Sequence, residues 1–201
     1  MKAPTGDDNA KDISYQATGP VERPVGLMIQ PGDGGWGIVL EMQAYQKLFK
    51  NTYAFVAGQY LISPRVQNGT EITVLAYDAL GMNATLSVPD QFFGRAGFLY
   101  NIWPSQGLSL ILGGRIEGTP VHDLIGGSEG FRFPGYSIAI EPGVNFSKGK
   151  HRFSLTTPVS LYRNRMQSVL EKQESEIAGT TIHGGGGFYD VLVVASYSRR
   201  F

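Results

Sequence analysis

The chain has 201 residues, enough for one domain or for part of a larger one. Basic and acidic residues number 17 each, so the formal net charge is zero and no Lys/Arg cluster favours a nucleic-acid partner. There is no cysteine, which excludes disulfides and thiolate metal sites.

Glycine reaches 27, Tyr 10 and Phe 11, with few helix-forming runs, a composition that points to an all-β chain with many turns. No apolar run approaches the roughly 18 residues of a membrane helix. A barrel strand spans with about 9–11 residues, half of them facing inward, so hydropathy does not decide against a membrane barrel. Met1 to Asp8 lacks the apolar region of a signal peptide. For an outer-membrane protein this implies that the chain lacks its natural N-terminus.

In chain order, residues 1–4 read as the tail of a strand and residues 5–34, rich in Asp, Gly and Pro, as a long loop. Trp36–Phe49 follows, with Ile38, Leu40 and Met42 opposite Glu41, Gln43, Tyr45 and Lys47. Side chains alternate between the faces of a strand, so each such segment has an apolar and a polar face. Lys50-Asn51-Thr52 turns into Tyr53–Arg65, with Ala54, Val56, Gly58, Tyr60 and Ile62 outward. Residues 66–90 form a second long connection; its apolar piece, Ile72–Leu80, is expected to extend a strand or fold over the mouth.

Gln91–Trp103 sets Phe92, Ala96, Phe98, Tyr100 and Ile102 against Gln91, Arg95 and Asn101. Pro104–Gly107 is a turn, and Leu108–Val121 sets Leu108, Leu110, Leu112 and Ile116 against Ser109, Arg115, Glu117 and Thr119. After a third long loop, 122–135, Tyr136–Ser147 opposes Ile138, Ile140, Val144 and Phe146 to Glu141 and Asn145. Lys148-Gly149-Lys150 leads into His151–Tyr162, with Arg152, Ser154, Thr156 and Ser160 on the polar face. The fourth long loop, 163–187, precedes Phe188–Phe201, where Tyr189, Val191, Val193, Ala195, Tyr197 and Phe201 share one side. Asp190, Ser196, Ser198 and Arg200 fall on the other.

Soluble sandwiches alternate too, but the connections discriminate. They run long, short, long, short, long, short, long. Outer-membrane barrels have long external loops and short periplasmic turns, and antiparallel neighbours must alternate between them. Aromatic residues also gather near strand ends, where interface girdles would place them. The expected fold is therefore an antiparallel up-and-down transmembrane β-barrel, one domain over residues 1–201. Seven strands and a four-residue stub cannot close in antiparallel fashion, because the first and last strands run the same way. An incomplete, open, strongly curved sheet is expected, the C-terminal portion of a larger barrel, with Trp36–Phe49 and Phe188–Phe201 as edges.

An alternating C-terminal strand that stops on Phe201, with Tyr197 before it, resembles the signal read by the barrel-assembly machinery in outer-membrane proteins. Lys2-Ala3-Pro4-Thr5-Gly6-Asp7-Asp8 is similar to the K-x-PTGD strand-to-loop element of the MetA-pathway phenol-degradation family of outer-membrane transporter proteins. WGIVLEMQAYQKLF, Arg115-Ile116-Glu117-Gly118, Pro134-Gly135-Tyr136 and Arg199-Arg200-Phe201 resemble the same family across the chain. The resemblance implies residence in the outer membrane among its lipids. It also implies a channel or transporter for small, aromatic or hydrophobic, solutes, and it brings no catalytic residues or cofactor.

The candidate functional residues are the charges opposite the apolar faces: Glu41, Lys47, Arg95, Arg115, Glu117, Glu141, Arg152, Asp190 and Arg200. A cationic side chain facing lipid near the midplane costs about 2–4 kcal/mol, so these must meet water or each other. They form either a salt-bridged, self-filled interior or a mixed-sign channel lining, and mixed sign argues against strong ion selectivity.

Other motifs point elsewhere only weakly. Gly32–Gly37 matches G-x-G-x-x-G but precedes a strand rather than a helix, the wrong context for a dinucleotide. Asp7, Asp8 and Asp33 offer oxygen ligands to a hard cation without calcium-hand spacing. His122, His151 and His183 lie too far apart in sequence to suggest zinc. Ser128, His122 and Asp123 share a loop but no nucleophile elbow, and an enzyme is not expected. The alternatives to a channel are a soluble antiparallel β binding module and an outer-membrane enzyme or structural barrel.

Overall fold

The computed structural model describes residues 1–72 and 84–201. It is mostly antiparallel β, built on a curled half-barrel sheet of seven strand positions. A small hairpin comes first, β1 (Lys11–Gln16) and β2 (Gly19–Pro24). The wall follows with β3 (Ile38–Phe49) and β4 (Thr52–Ile62), and a second hairpin, β5 (Gln67–Ile72) and β6 (Ala84–Ser87), interrupts it. The wall resumes with β7 (Gln91–Trp103), β8 (Leu108–Thr119), β9 (Gly135–Lys148), β10 (His151–Thr156) and β11 (Val159–Arg165). Helix α1 (Val169–Ala178) precedes the last strand, β12 (Val194–Arg199).

The sheet order is β12-β10-β9-β8-β7-β4-β3, with β11 continuing the β10 position along β9. Every wall neighbour is antiparallel, and β3 and β12 are the two ends. The sheet is thus open among the described residues, as the strand count required. The stub contributes a single antiparallel bridge, Lys2 to Gly37, with both backbone hydrogen bonds made. Short turns gather at one end, where Asn51 (φ 65°) and Gly149 (φ 59°) adopt the left-handed backbone that tight hairpins need. The long connections gather at the other.

Four segments differ from the sequence reading. Residues 5–34 are not one loop but hold the β1–β2 hairpin, and residues 163–187 hold α1. The helix has local causes: Ser168 and Glu171 form a reciprocal capping box, and Gly179 ends it at φ 65°. The strand predicted over His151–Tyr162 is broken at Thr157-Pro158, and Phe188–Phe201 forms a ladder only from Val194 to Arg199. Pro142 and Pro158 lack the N–H that a ladder uses. The gap is bridged by Thr157 N–H donating to Pro142 O and Leu192 N–H to Pro158 O, both 2.9 Å. Val191 retains one bridge to Val159. Of the apolar piece Ile72–Leu80, Ile72 closes β5 and residues 73–80 lie outside the described residues.

Candidate functional site

The site begins with the pleat. On β9 the odd positions Ser137, Ala139 and Glu141 are buried, while Ile138, Ile140, Val144 and Phe146 are exposed. Register carries this split across the sheet. Glu41 faces Gln59, Gln59 faces Phe93, Phe93 faces Glu117, and Glu117 faces Ser137. Residues directly opposite point to the same face, so these line the concave side together. The convex side collects Ile38, Leu40, Met42, Val56, Phe98, Leu110, Leu112, Ile116, Ile140, Val144, Phe153 and Leu155, all exposed.

No Asp, Glu, Lys or Arg stands on a convex strand position except Lys148 and Arg199, at the turn end. His151 pairs with both of them in the ladder. Aromatic residues border this belt. Tyr60, Phe92, Tyr136 and Tyr162 lie toward the loop end, Tyr136 and Tyr162 with ring centroids 6.0 Å apart. Tyr100, Phe146, Phe153 and Tyr197 lie toward the turn end, where Phe153 and Tyr197 approach to 4.9 Å. His151 Nδ1 and the Tyr197 hydroxyl share a hydrogen bond of 2.8 Å. From Tyr136 to Phe146 the chain rises about 33 Å at ~3.3 Å per residue. Tilted by ~40°, as the strands of membrane barrels are, such a length would stand about 25 Å tall, the height of a barrel's apolar band.

The concave side holds a trough in three connected parts. Its middle is a cavity of 260 Å³ lined by Glu41, Gln43, Tyr45, Arg95, Asn145 and Arg152, with Phe55 and Ile111 on its floor. Toward the turn end a second cavity, of 370 Å³, shares Tyr45, Leu99, Asn145 and Arg152 with it and adds Asn101, Ser109 and Ser147. Toward the loop end a third, of 360 Å³, shares Gln59 and Phe93 and adds Glu117 and Thr119.

Arg95 and Arg115 are direct cross-strand partners, and each like charge is offset by a carboxylate. Arg95 approaches Glu141 at 3.3 Å, and Arg115 bonds Glu117. Both guanidinium groups also stack on rings, Arg95 on Phe55 at 5.0 Å and Arg115 on Phe93 at 4.5 Å. Glycines make room: Gly97 faces Gly113, and a Cβ on Gly113 would lie 3.1 Å from the Phe55 ring and 2.8 Å from Ala96 O.

The nine charges named from the sequence therefore separate. Glu41, Arg95 and Arg152 line the middle of the trough, with Glu141 beneath Arg95, and Glu117 with its partner Arg115 lies toward the loop end. Lys47 lies toward the turn end of the edge strand, outside the trough cavities. Asp190 pairs with Arg163 on the rim, and Arg200 lies past β12, its N–H donating to Lys150 O at 2.9 Å. The two aromatic residues read as an assembly signal stand free of the trough: Tyr197 on the convex face, and Phe201 fully exposed with Arg199 at 5.6 Å from its ring. The uncharged lining residues Gln43, Gln59, Ser154 and Ser196 were absent from the sequence-based set, although period 2 alone places them on this face.

At the loop end a buried polar cluster ties the connections together. Arg132 donates to both oxygens of Asp123, at 2.8 and 2.6 Å, and to Ser87 Oγ at 2.6 Å. Asp90 accepts from Ser63 N–H, Leu124 N–H and the Tyr60 hydroxyl. Ser128 Oγ accepts from Asp123 N–H at 2.9 Å, so in this loop serine and carboxylate both serve as loop fasteners. A second cluster lies under α1, where Arg165 donates to Glu171. Glu174, fully enclosed and making no hydrogen bond among the described residues, is pushed up to about 7 by burial and by the Glu171 charge. No sequence signal marks Asp90, Asp123 and Arg132 as partners.

The remaining motifs resolve into local structure. Asp33 pairs with Lys2, Asp8 lies 3.9 Å from Arg65, and Asp7 accepts from Asn9 N–H. Among the described residues no group of three or more His, Asp or Glu side chains is placed to hold a metal ion. In the G-x-G-x-x-G run, Gly32 passes against Gly6, where a Cβ would lie 2.6 Å from Gly6 O. No family model, no curated protein and no solved structure matches the chain.

Proposed function

We propose that this chain is part of the wall of an outer-membrane β-barrel and that small molecules pass along its concave trough. The observation that carries the reading is the division of one sheet into an uncharged convex belt bordered by aromatic residues and a polar concave side. A seven-strand sheet exposing that many large apolar side chains needs a cover, and far exceeds the patches normal on soluble monomers. Acyl chains supply such a cover, and Lys148 and Arg199 at its margin reach headgroups by snorkelling. The similarity of Lys2–Asp8 and of the terminal strand to outer-membrane transporter proteins speaks the same way, with Tyr197 and Phe201 as the part read by the assembly machinery. The trough, lined by Glu41 and Arg152 of opposite sign and by amides and hydroxyls, suits small polar or amphipathic solutes rather than one class of ion.

The test is reconstitution. Refolded with lipid vesicles, the chain should float with the lipid, resist alkaline extraction and run at a heat-modifiable mobility. The whole protein should then admit small sugars into the vesicles. A chain that stays monomeric in buffer without lipid or detergent is the soluble binding module instead. A protein that inserts but passes no sugar is a structural barrel.

A further inference from the structure

The trough does not stop at the loop-end rim. The cavity holding Glu117 shares Gln91 and Thr119 with one of 490 Å³, walled by the Lys2–Gly6 segment, Met28 and Phe133. That cavity shares Leu27, Met28 and Phe133 with another of 620 Å³, set between the β1–β2 hairpin and the Phe131–Phe133 segment. The lining changes character along this route. The outermost cavity is walled by Ile13, Val25, Ile29, Ile72, Phe131 and Phe133, with Asp12, Ser14 and Arg23 also on its lining. The trough at the other end carries Glu41, Arg95 and Arg152. Met28 and Phe133 stand where the two outer cavities meet. Phe133 is fixed by edge contact with Phe131 at 5.0 Å and by Arg165 at 5.4 Å from its ring. Met28 is a flexible thioether, 68% exposed, lying where a Cβ on Gly187 would touch its methyl at 2.6 Å.

We infer that the cavity between the β1–β2 hairpin and the Phe131–Phe133 segment is a binding site for small, uncharged molecules with an apolar body, delivered past Met28 and Phe133 into the trough. Its size is that of a small-molecule pocket, and its wall is apolar with a few polar groups, the usual composition of such sites. An uncharged occupant fits because the two ionisable side chains on the lining, Asp12 and Arg23, are of opposite sign and stand opposite each other in the hairpin ladder. The delivery step rests on the proposed channel, but the binding step does not.

The experiment uses the chain in lipid nanodiscs, labelled with ¹³C at the methionine methyls, with 1-octanol as probe and glycerol as control. The Met28 resonance should shift saturably with octanol and stay still with glycerol. Met42, on the convex face, should drift only in proportion to octanol dissolved in the lipid. The double variant Ile13→Asp/Ile29→Asp, at two half-exposed or more positions, should weaken the Met28 response by about tenfold or more. A Met28 shift that never saturates, or one unchanged in the variant, overturns the site. Sugar entry into vesicles, measured on the whole protein with and without the same two substitutions, should be the same. If neither admits sugar while Met28 still saturates, the channel fails and the site stands.

Discussion

The wall and the loop layer above it are built on opposite plans. In the wall the large apolar side chains of the convex face are exposed, and charges such as Glu141 are turned into the concave side, 1% exposed. In the loop layer the order is the familiar one: Leu86, Val88, Ala84 and Leu170 are buried, and ionisable groups enter as the paired Arg132–Asp123 and Arg165–Glu171, as the hydrogen-bonded Asp90 or as Glu174. The wall is held by ladders and by its surroundings, the loop layer by its own interior. Each should therefore fail separately.

The largest effect is expected where the loop layer buries charge. Arg132→Met leaves Asp123 enclosed without its partner, a loss of about 3–5 kcal/mol. Limited proteolysis should open residues 122–135, while heat-modifiable mobility, which reads the wall, persists. If both are lost together, the two regions form one cooperative unit and the contrast collapses.

Next comes charge on the convex belt. Ile140→Arg, midway along β9, should cost about 2–4 kcal/mol of membrane stability, and Leu110→Arg, nearer the turn end of β8, less. Arg115→Leu, on the concave side, should leave insertion intact and strand Glu117 instead. Denaturant titration of the lipid-embedded chain ranks the three. Equal tolerance of Ile140→Arg and Arg115→Leu would remove the case for lipid on the convex face.

A smaller effect belongs to the helix cap. Ser168→Ala removes one arm of the capping box and should destabilise α1 by about 1 kcal/mol. Amide exchange should rise within 169–178 and stay constant in β7–β9. Uniform acceleration would show that the helix supports the wall.

The smallest is a pH effect at Glu174. Its folded pKa, about 7, lies above the ordinary 4.5, so the folded helix holds a proton that the released helix gives up. The stabilisation is full below pH 4.5 and is lost as pH rises through 7. After correction for intrinsic rates, amides of α1 should exchange faster at pH 8 than at pH 5, and Glu174→Gln should flatten the difference. An unchanged slope in that variant assigns the effect to another group.

Much of the wall was legible beforehand because its signals are local. Period 2 alone assigned Ile138, Ile140, Val144 and Phe146 to one face and Glu141 and Asn145 to the other, and turn length alone ordered the connections. His151–Tyr162, interrupted at Thr157-Pro158, and Phe188–Phe201, laddered only from Val194, were misread as continuous because a single strand's alternation carries no information about the ladder beside it. The cap Ser168-Val-Leu-Glu171 and its closing Gly179 were also local, but lay inside a segment whose Gly and polar residues read as loop.

By itself, then, the order of residues determined which side chains share a face, how many strand positions the wall has and that its two end strands run the same way. Each follows from the two-residue repeat and from antiparallel geometry. The same repeat sets Arg115 beside Glu117, but only the tertiary structure decided that Arg95 meets Glu141. Only it joined Asp123, Arg132 and Ser87 across two connections, and set Met28 and Phe133 on the wall that two loop-layer cavities share. Those pairings depend on strand register and on loops closing over many residues, and no local repeat in the chain encodes either.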